Sequence, residues 1–359
     1  MKGYLIPAMP ILVIAAAACI AFGALHAPLL GSRVSFTAFQ HTPLTTYAQE
    51  KAHWEDRIRE IGGPAAYKEF SASMQKIDLQ RAHDHAHAFG EALYEVEGMK
   101  GVSVCDLQFN LGCIHTFFGR AVADLGIPKL ADINTSCSDA PMPKSLFCHH
   151  GIGHGLMAYF GYSEADLKQV LSLCDGLPND PLKGCDIGAF MEYSQQSMLG
   201  SSAQIRTVTG GDWNLPCDAV DARDQQVCYF YQPQWWSVVL EFEHVTGVDA
   251  FKKMGALCEA LPSKDLAIRC FEGLGHMTPF NITVDESVVT SLCNATSENK
   301  DYALDCRYYA ASTFFLEGLP DKAKDMCTGL QGDPADLCMR FATTADPSKV
   351  PNLLGGLPI

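Results

Sequence analysis

The chain has 359 residues, of which 48% are hydrophobic and 19% charged, and this is enough apolar material for a sizeable core in one or two domains. Its formal net charge is −15. Because nucleic-acid phosphates are bound by basic surfaces, this charge argues against a nucleic-acid partner.

The first predicted element is an apolar segment at the N-terminus. Residues 4–30 contain no Asp, Glu, Lys or Arg. A helix of about 20 apolar residues spans a bilayer, whereas the apolar part of a signal peptide usually has about 7–15. Residues 1–30 are therefore predicted to be a transmembrane signal anchor in the lipid bilayer, with a cleavable signal peptide as the alternative. Either way the rest of the chain is expected to be extracytoplasmic (periplasmic, extracellular or lumenal), and secreted if the segment is cleaved.

Three further regions follow in chain order. Residues 31–75 contain helical patterns and are predicted to form a lead-in to the main domain. Residues 76–345 are predicted to form a helical repeat domain stapled by disulfides. Residues 346–359 are predicted to be an irregular C-terminal tail.

Cysteine spacing is the strongest signal in the predicted repeat domain. Fourteen of the 15 cysteines follow the N-terminal segment, in successive pairs with seven to twelve residues between partners. An even number at near-constant spacing behind an export signal predicts disulfides. Zinc is the alternative, but zinc-binding cysteines usually lie two to four residues apart, and no such pair occurs here. The pairs are Cys105 and Cys113, Cys137 and Cys148, Cys174 and Cys185, Cys217 and Cys228, Cys258 and Cys270, Cys293 and Cys306, and Cys327 and Cys338.

The segments between paired cysteines predict the fold. They contain Pro, Gly, Asp, Asn or Ser, which are turn residues, and an apolar stretch of helical length follows each pair. The second cysteine recurs every 32 to 43 residues, which is the period of helical hairpins. We therefore expect an all-α fold of stacked helical hairpins, an α-solenoid or a closed α/α ring of about seven to eight repeats. Each hairpin would be stapled by its own disulfide.

Histidines recur at fixed positions in these repeats. Two of the predicted helices that follow a cysteine pair carry two such residues four positions apart, namely His150 with His154 and Glu272 with His276. Residues four apart share a helix face, so each pair can present two ligands to one metal ion. In both pairs the first residue lies two positions after the second cysteine of its hairpin, and His115 occupies the same position in an earlier hairpin.

A cysteine-free segment, RAHDHAHAFGEALY, provides a third pair in His83 and His87, and Glu91 is expected to extend the same face. Because equivalent positions of stacked hairpins line one surface, these side chains are expected to converge on the concave inner face. Imidazole and carboxylate ligands suit Zn, Cu, Fe or Mn, and the sequence does not choose among them. The candidate metal ligands are His83, His87, His115, His150, His154, Glu272 and His276.

Two other features near these histidines have alternative interpretations. Glycines such as Gly153 and Gly188 permit either close helix packing or open space above a site. Glu192 is interpreted as a surface carboxylate, with a general acid or base as the alternative.

No known catalytic motif occurs in the chain, and the sequence identifies no catalytic residue. The first functional hypothesis is a membrane-anchored, extracytoplasmic protein with a histidine-rich metal site, acting as a metal-dependent hydrolase or oxidoreductase. The alternative is a non-enzymatic scaffold that binds a protein or peptide partner on its concave face. A metal site requires at least three of the candidate ligands around one point, whereas a scaffold would leave them dispersed.

Overall fold

Helices account for the regular secondary structure of the protein. The computed structural model describes residues 44–75, 77, 79–138, 144–180, 183–196 and 213–344. Within these ranges there are fifteen α-helices and no β-strand, so the predicted all-α class is confirmed. The predicted anchor (residues 1–30) and the predicted tail (residues 346–359) lie outside the described residues.

The helices are named here in chain order. They are α1 (Leu44–Ile61), α2 (Gly63–Met74), α3 (Leu79–Glu97), α4 (Gly112–Leu125), α5 (Leu130–Ser138), α6 (Lys144–Phe160), α7 (Glu164–Asp175), α8 (Gly184–Gln195), α9 (Gln225–Phe242), α10 (Gly247–Glu259), α11 (Lys264–Met277), α12 (Glu286–Ala295), α13 (Lys300–Leu316), α14 (Pro320–Asp325) and α15 (Asp333–Phe341).

Seven of these helices form a continuous row, and we call them the inner helices: α3, α4, α6, α8, α9, α11 and α13. Each inner helix packs against the next one in this order. The helices α5, α7, α10 and α12 each pack on the inner helix that follows them, as expected for hairpins, and α14 and α15 pack on α13. The π-helical turn Thr278–Ile282, which follows α11, contacts α3. The row of inner helices therefore returns to its first member.

The predicted lead-in contributes two helices to this assembly. Helix α1 packs along α3, and α2 packs against both. Trp54 of α1, Phe70 of α2 and Phe89 of α3 form an aromatic cluster with ring centroids 5.0 to 5.4 Å apart. Residues 44–74 therefore cover the outside of the first inner helix.

Disulfides join the two arms of successive hairpins as the spacing predicts. In six pairs the first cysteine lies near the end of a helix or in the turn after it, Cys217 lies in a turn before α9, and the second cysteine of every pair lies within the helix that follows. The paired Cα atoms are 5.4 to 5.6 Å apart in all seven bridges. A bridge over a short loop stabilises its hairpin by about 2–4 kcal/mol. Seven disulfides also indicate an oxidising, extracytoplasmic environment.

Helix starts follow local sequence signals. Ser163 caps α7, because its hydroxyl accepts a hydrogen bond from the backbone N–H of Asp166 and the Asp166 carboxylate accepts from the Ser163 backbone. Pro320 occupies the first turn of α14, where its missing N–H costs nothing. Among the residues that the structure describes, no helix is both long and apolar enough to cross a membrane.

Glycines allow the inner helices to touch backbone to backbone. A Cβ atom on Gly153 of α6 would lie 2.0 Å from the carbonyl oxygen of Cys185 in α8. A Cβ atom on Gly188 of α8 would lie 1.9 Å from the carbonyl oxygen of His150 in α6. Because these obstacles are backbone atoms, no rotamer change could relieve the contact. The glycines therefore serve close packing, and this packing fixes the position of α8 against His150.

We expect Gly188→Ala to destabilise the protein by about 1–3 kcal/mol or more, because the added methyl must push α6 and α8 apart. The matched control is Gly176→Ala, where the nearest atom to a new Cβ is 3.4 Å away. Chemical denaturation of the oxidised protein measures the difference. Equal stability of the two variants would contradict the packing argument.

Candidate metal centre

Five histidines from three neighbouring inner helices meet in the core, and we call them the histidine cluster. They come from α3, α4 and α6, and none is more than 7% exposed. Contacting rings have centroids 4.0 to 5.9 Å apart. The members are His83, His87, His115, His150 and His154. Counting from the second cysteine predicts that His115, His150 and His154 share one surface, the cysteine-free segment adds His83 and His87, and the structure brings the five together.

Ring nitrogens of the cluster form two groups of three. One group is His83, His87 and His115, and the other is His115, His150 and His154. Within each group the nitrogen atoms lie within 4.8 Å of one another, and His115 belongs to both. Each group can hold a metal ion, because three imidazoles around an open position are a common ligand set for transition metals.

A buried glutamate orients one member of the cluster. Glu192 Oε2 on α8 lies 2.8 Å from His154 Nδ1, and Tyr162 donates its hydroxyl proton to Glu192 Oε1 at 2.6 Å. Glu192 is 0% exposed, so its interpretation as a surface carboxylate is wrong. Because a carboxylate accepts a proton donor, Nδ1 of His154 bears the hydrogen and Nε2 has the free lone pair. Metal-binding histidines are typically oriented by such a carboxylate.

A strained turn orients a second member. His83 Nδ1 donates to the backbone carbonyl of Phe109 at 2.8 Å, which leaves Nε2 as the lone-pair nitrogen. The turn Phe109–Leu111 has φ values of 58°, 46° and 63° at three successive residues that are not glycine. Left-handed backbone is unfavourable for Phe and Leu, and such strain concentrates at functional sites. No sequence signal pointed to this turn.

Two ring nitrogens already have the spacing of metal ligands. His154 Nε2 and His150 Nε2 are 3.0 Å apart. A tetrahedral zinc ion with bonds of 2.0–2.1 Å would separate two nitrogen ligands by about 3.3 Å. In the absence of an ion, His150 would have to donate a proton to His154 across this gap.

Burial disfavours protonation of three members of the cluster. It lowers the pKa of His83 to about 4, and it lowers the pKa values of His115 and His150 well below 6.5, helped by the neighbouring imidazoles. Neutral imidazole is the form that binds metals. Neither ring nitrogen of His115 has a hydrogen-bond partner among the described residues. A buried polar atom without a partner costs about 1–3 kcal/mol, so the residues present fit a metal ion.

The other candidate ligands lie apart from the two nitrogen groups. Glu272 forms a buried ion pair with Arg269 one turn earlier on α11, and burial raises the pKa of its carboxyl to about 8. His276 Nδ1 lies 3.3 Å from Thr313 Oγ1, and its ring packs against Phe230. A role for Glu272 and His276 as ligands stays a prediction.

The expected extension of the first histidine pair to Glu91 is wrong. Its carboxylate accepts hydrogen bonds from Tyr47 at 2.8 Å and from Lys51 at 3.1 Å, both on α1. Each step of four residues turns the helix by about 40° beyond a full circle, so a third residue leaves the face of the first.

An enclosed space adjoins the cluster, and we call it the central cavity. It has a volume of about 90 Å³ and is lined by residues from both ends of the row of inner helices. His150 is part of its wall, together with His276, Phe230, Tyr231 and Glu317. A small molecule in this cavity would therefore lie beside the histidine cluster.

The buried histidines should cost the metal-free protein stability as the pH falls from about 6.5 to 4. Burial lowers the pKa values of His83 and His276 from 6.5 to about 4, so within this window each of them binds a proton in the unfolded chain but not in the folded one. Buried carboxyls with raised pKa values, such as Glu272, act in the opposite direction, so the histidine contribution is measured as a difference between variants. In urea denaturation at stepped pH after chelator treatment, the double variant His83→Gln/His276→Gln should keep more of its pH 7 stability at pH 5 than the wild type does. His85→Gln should behave as the wild type in this window, because Glu50 raises the pKa of His85. The same pH dependence in the wild type and the double variant would contradict this expectation.

Comparisons with known proteins leave the site to be interpreted on its own geometry. Family models, curated proteins and solved structures were compared with the chain, and none of the three comparisons found a match.

Proposed function

We propose that the histidine cluster binds a transition-metal ion and that the chain is an exported metalloenzyme, either a hydrolase or an oxidoreductase. One observation carries the proposal: the described core buries five imidazoles in contact with one another, and the one shared by both nitrogen groups, His115, has no hydrogen-bond partner there for either nitrogen. Proteins rarely bury polar groups without partners, and a metal ion would supply them.

The donor set limits the ions to be considered. Imidazole nitrogens suit Zn, Cu and Fe, and Mn becomes suitable where a carboxylate joins them. Glu192 supports this centre through His154 and adds one negative charge in a fully buried position. A bound ion with an open coordination position activates water or binds oxygen. Zinc would favour the hydrolase and a redox-active metal the oxidoreductase.

Access to the centre supports an enzyme over a purely structural metal site. The central cavity has His150 in its wall, so a small substrate could reach one ligand of the second nitrogen group. We propose that the apolar residues 4–30 direct this domain to an extracytoplasmic compartment, where the seven disulfides form, and hold it to the bilayer unless the segment is cleaved.

Elemental analysis of the exported protein, purified without a His-tag, tests the proposal. We expect at least one equivalent of a transition metal, and a second equivalent would mean that both nitrogen groups are filled. His115→Ala should lose the metal because His115 belongs to both groups. The control is His85→Ala. His85 lies on α3 like His83 and His87, but its ring bonds Glu50 on α1, so this variant should retain the metal.

The absence of metal in the folded wild-type protein, even after reconstitution, would refute the metal centre. A search for a protein or peptide partner of the inner face would then follow. Circular dichroism on each variant shows that loss of metal is not loss of fold.

Glu192→Gln should weaken metal binding by about 10- to 100-fold, because an amide orients His154 less firmly and removes the buried charge. Competition with a chelator of known affinity measures this change. The matched control is Glu50→Gln, since Glu50 forms a comparable 2.7 Å contact with His85 outside the cluster. If the two variants bind metal equally well, Glu192 does not support the centre.

A further inference from the structure

The wall of the central cavity is rich in aromatic rings and contains one acidic group without a basic partner. Phe147, Phe230, Tyr231 and Tyr309 line it, and Phe230 contacts both tyrosines with ring centroids 5.0 and 5.4 Å apart. Among the described residues, no Lys or Arg belongs to the wall, and its acidic member is Glu317.

Glu317 is positioned at the point where the row of inner helices returns to its start. It follows the last residue of α13, and the backbone of Asn110 in the left-handed turn Phe109–Leu111 lies near its carboxyl group and favours the ionised form. The carboxylate oxygen Oε2 is buried and has no hydrogen-bond partner within the described ranges. The same turn thus adjoins both His83 of the cluster and Glu317 of the cavity.

The wall offers this carboxyl no cationic side chain. Thr313 donates its hydroxyl proton to the backbone carbonyl of Tyr309 at 3.0 Å. Burial raises the pKa of Glu317 to about 8. A carboxyl among apolar groups with no cation nearby is costly to ionise. A cation in the cavity would remove that cost.

We propose that the central cavity binds a small organic cation, an alkylammonium or quaternary ammonium group, with its charge at Glu317 and its carbon atoms among Phe230, Tyr231 and Tyr309. Aromatic faces attract such cations through the ring quadrupole, and a carboxylate beside them supplies the opposite charge. Anions find no positive group in this wall, whereas a cation favours the ionised form of Glu317 and pairs with it. The small volume, about 90 Å³, limits the ligand to a few heavy atoms.

His150 lies in the wall of the cavity and also belongs to the second nitrogen group. We therefore assign the bound cation as the substrate class of the metal centre, and this assignment rests on the proposed function. Binding of the cation does not depend on a metal. The two proposals can therefore fail separately.

Isothermal titration calorimetry of the full chain with tetramethylammonium chloride tests the binding. Tetramethylammonium has no lone pair and cannot coordinate a metal, so the result is independent of metal content. We expect saturable binding of one equivalent, weakened at least tenfold in Glu317→Gln. The control Glu286→Gln, which changes a carboxylate paired with Lys322 outside the cavity, should leave the affinity unchanged. tert-Butanol, of similar size but neutral, should bind at least tenfold more weakly than tetramethylammonium.

Three results would overturn the inference: no saturable binding of tetramethylammonium, equal affinity in Glu317→Gln, or equal affinity for tert-butanol. If Glu317→Gln does not fold, Phe230→Leu replaces it, and at least a threefold loss of affinity is expected because one aromatic face is removed. An unchanged affinity in a folded Phe230→Leu protein would equally refute the aromatic site. Metal content measured on the same samples shows whether the metal centre stands or falls independently.

Discussion

Backbone contact between neighbouring inner helices determines where every side chain of the site lies. Gly153 and Gly188 place the backbones of α6 and α8 against each other, and the carbonyl oxygen that Gly188 meets belongs to His150 itself. A helix pair separated by side chains would be several ångströms wider. At that distance the Glu192 carboxylate could not reach His154. The close packing that these two glycines allow therefore also brings Glu192 within reach of His154 and so sets the orientation of the His154 ring.

The electrostatic character of the site follows from that packing. Five imidazoles in contact repel one another when protonated, and the apolar core around them disfavours any charge. Burial therefore lowers the pKa values of His83, His115 and His150, and Glu192 is the acidic group that bonds directly to one member of the cluster in the described core. Imidazole lone pairs beside one buried carboxylate are an environment that attracts a cation. The same logic recurs in the central cavity, where Glu317 stands among aromatic rings.

Much of the architecture could be predicted because the sequence repeats it. Consecutive cysteines revealed the hairpins, and counting from the second cysteine placed His115, His150 and His154 on one surface. The count failed for Glu192, which is one position beyond the equivalent of His154, because its contacts with His154 and Tyr162 join residues that are far apart in the sequence. The turn Phe109–Leu111 was also beyond prediction, since its carbonyl contact is with His83, 26 residues earlier in the chain.

The order of the disulfides has a consequence for how this protein is made. Every bridge joins a cysteine to the next one along the chain, so none has to wait for a distant partner. As the polypeptide emerges into an oxidising compartment, each hairpin can lock before its successor has been delivered. The central cavity, in contrast, needs Asn110 from an early hairpin and Glu317 from a late one. Formation of the disulfides can thus be local and progressive, whereas the wall of the central cavity cannot be complete until the chain as far as Glu317 has been delivered.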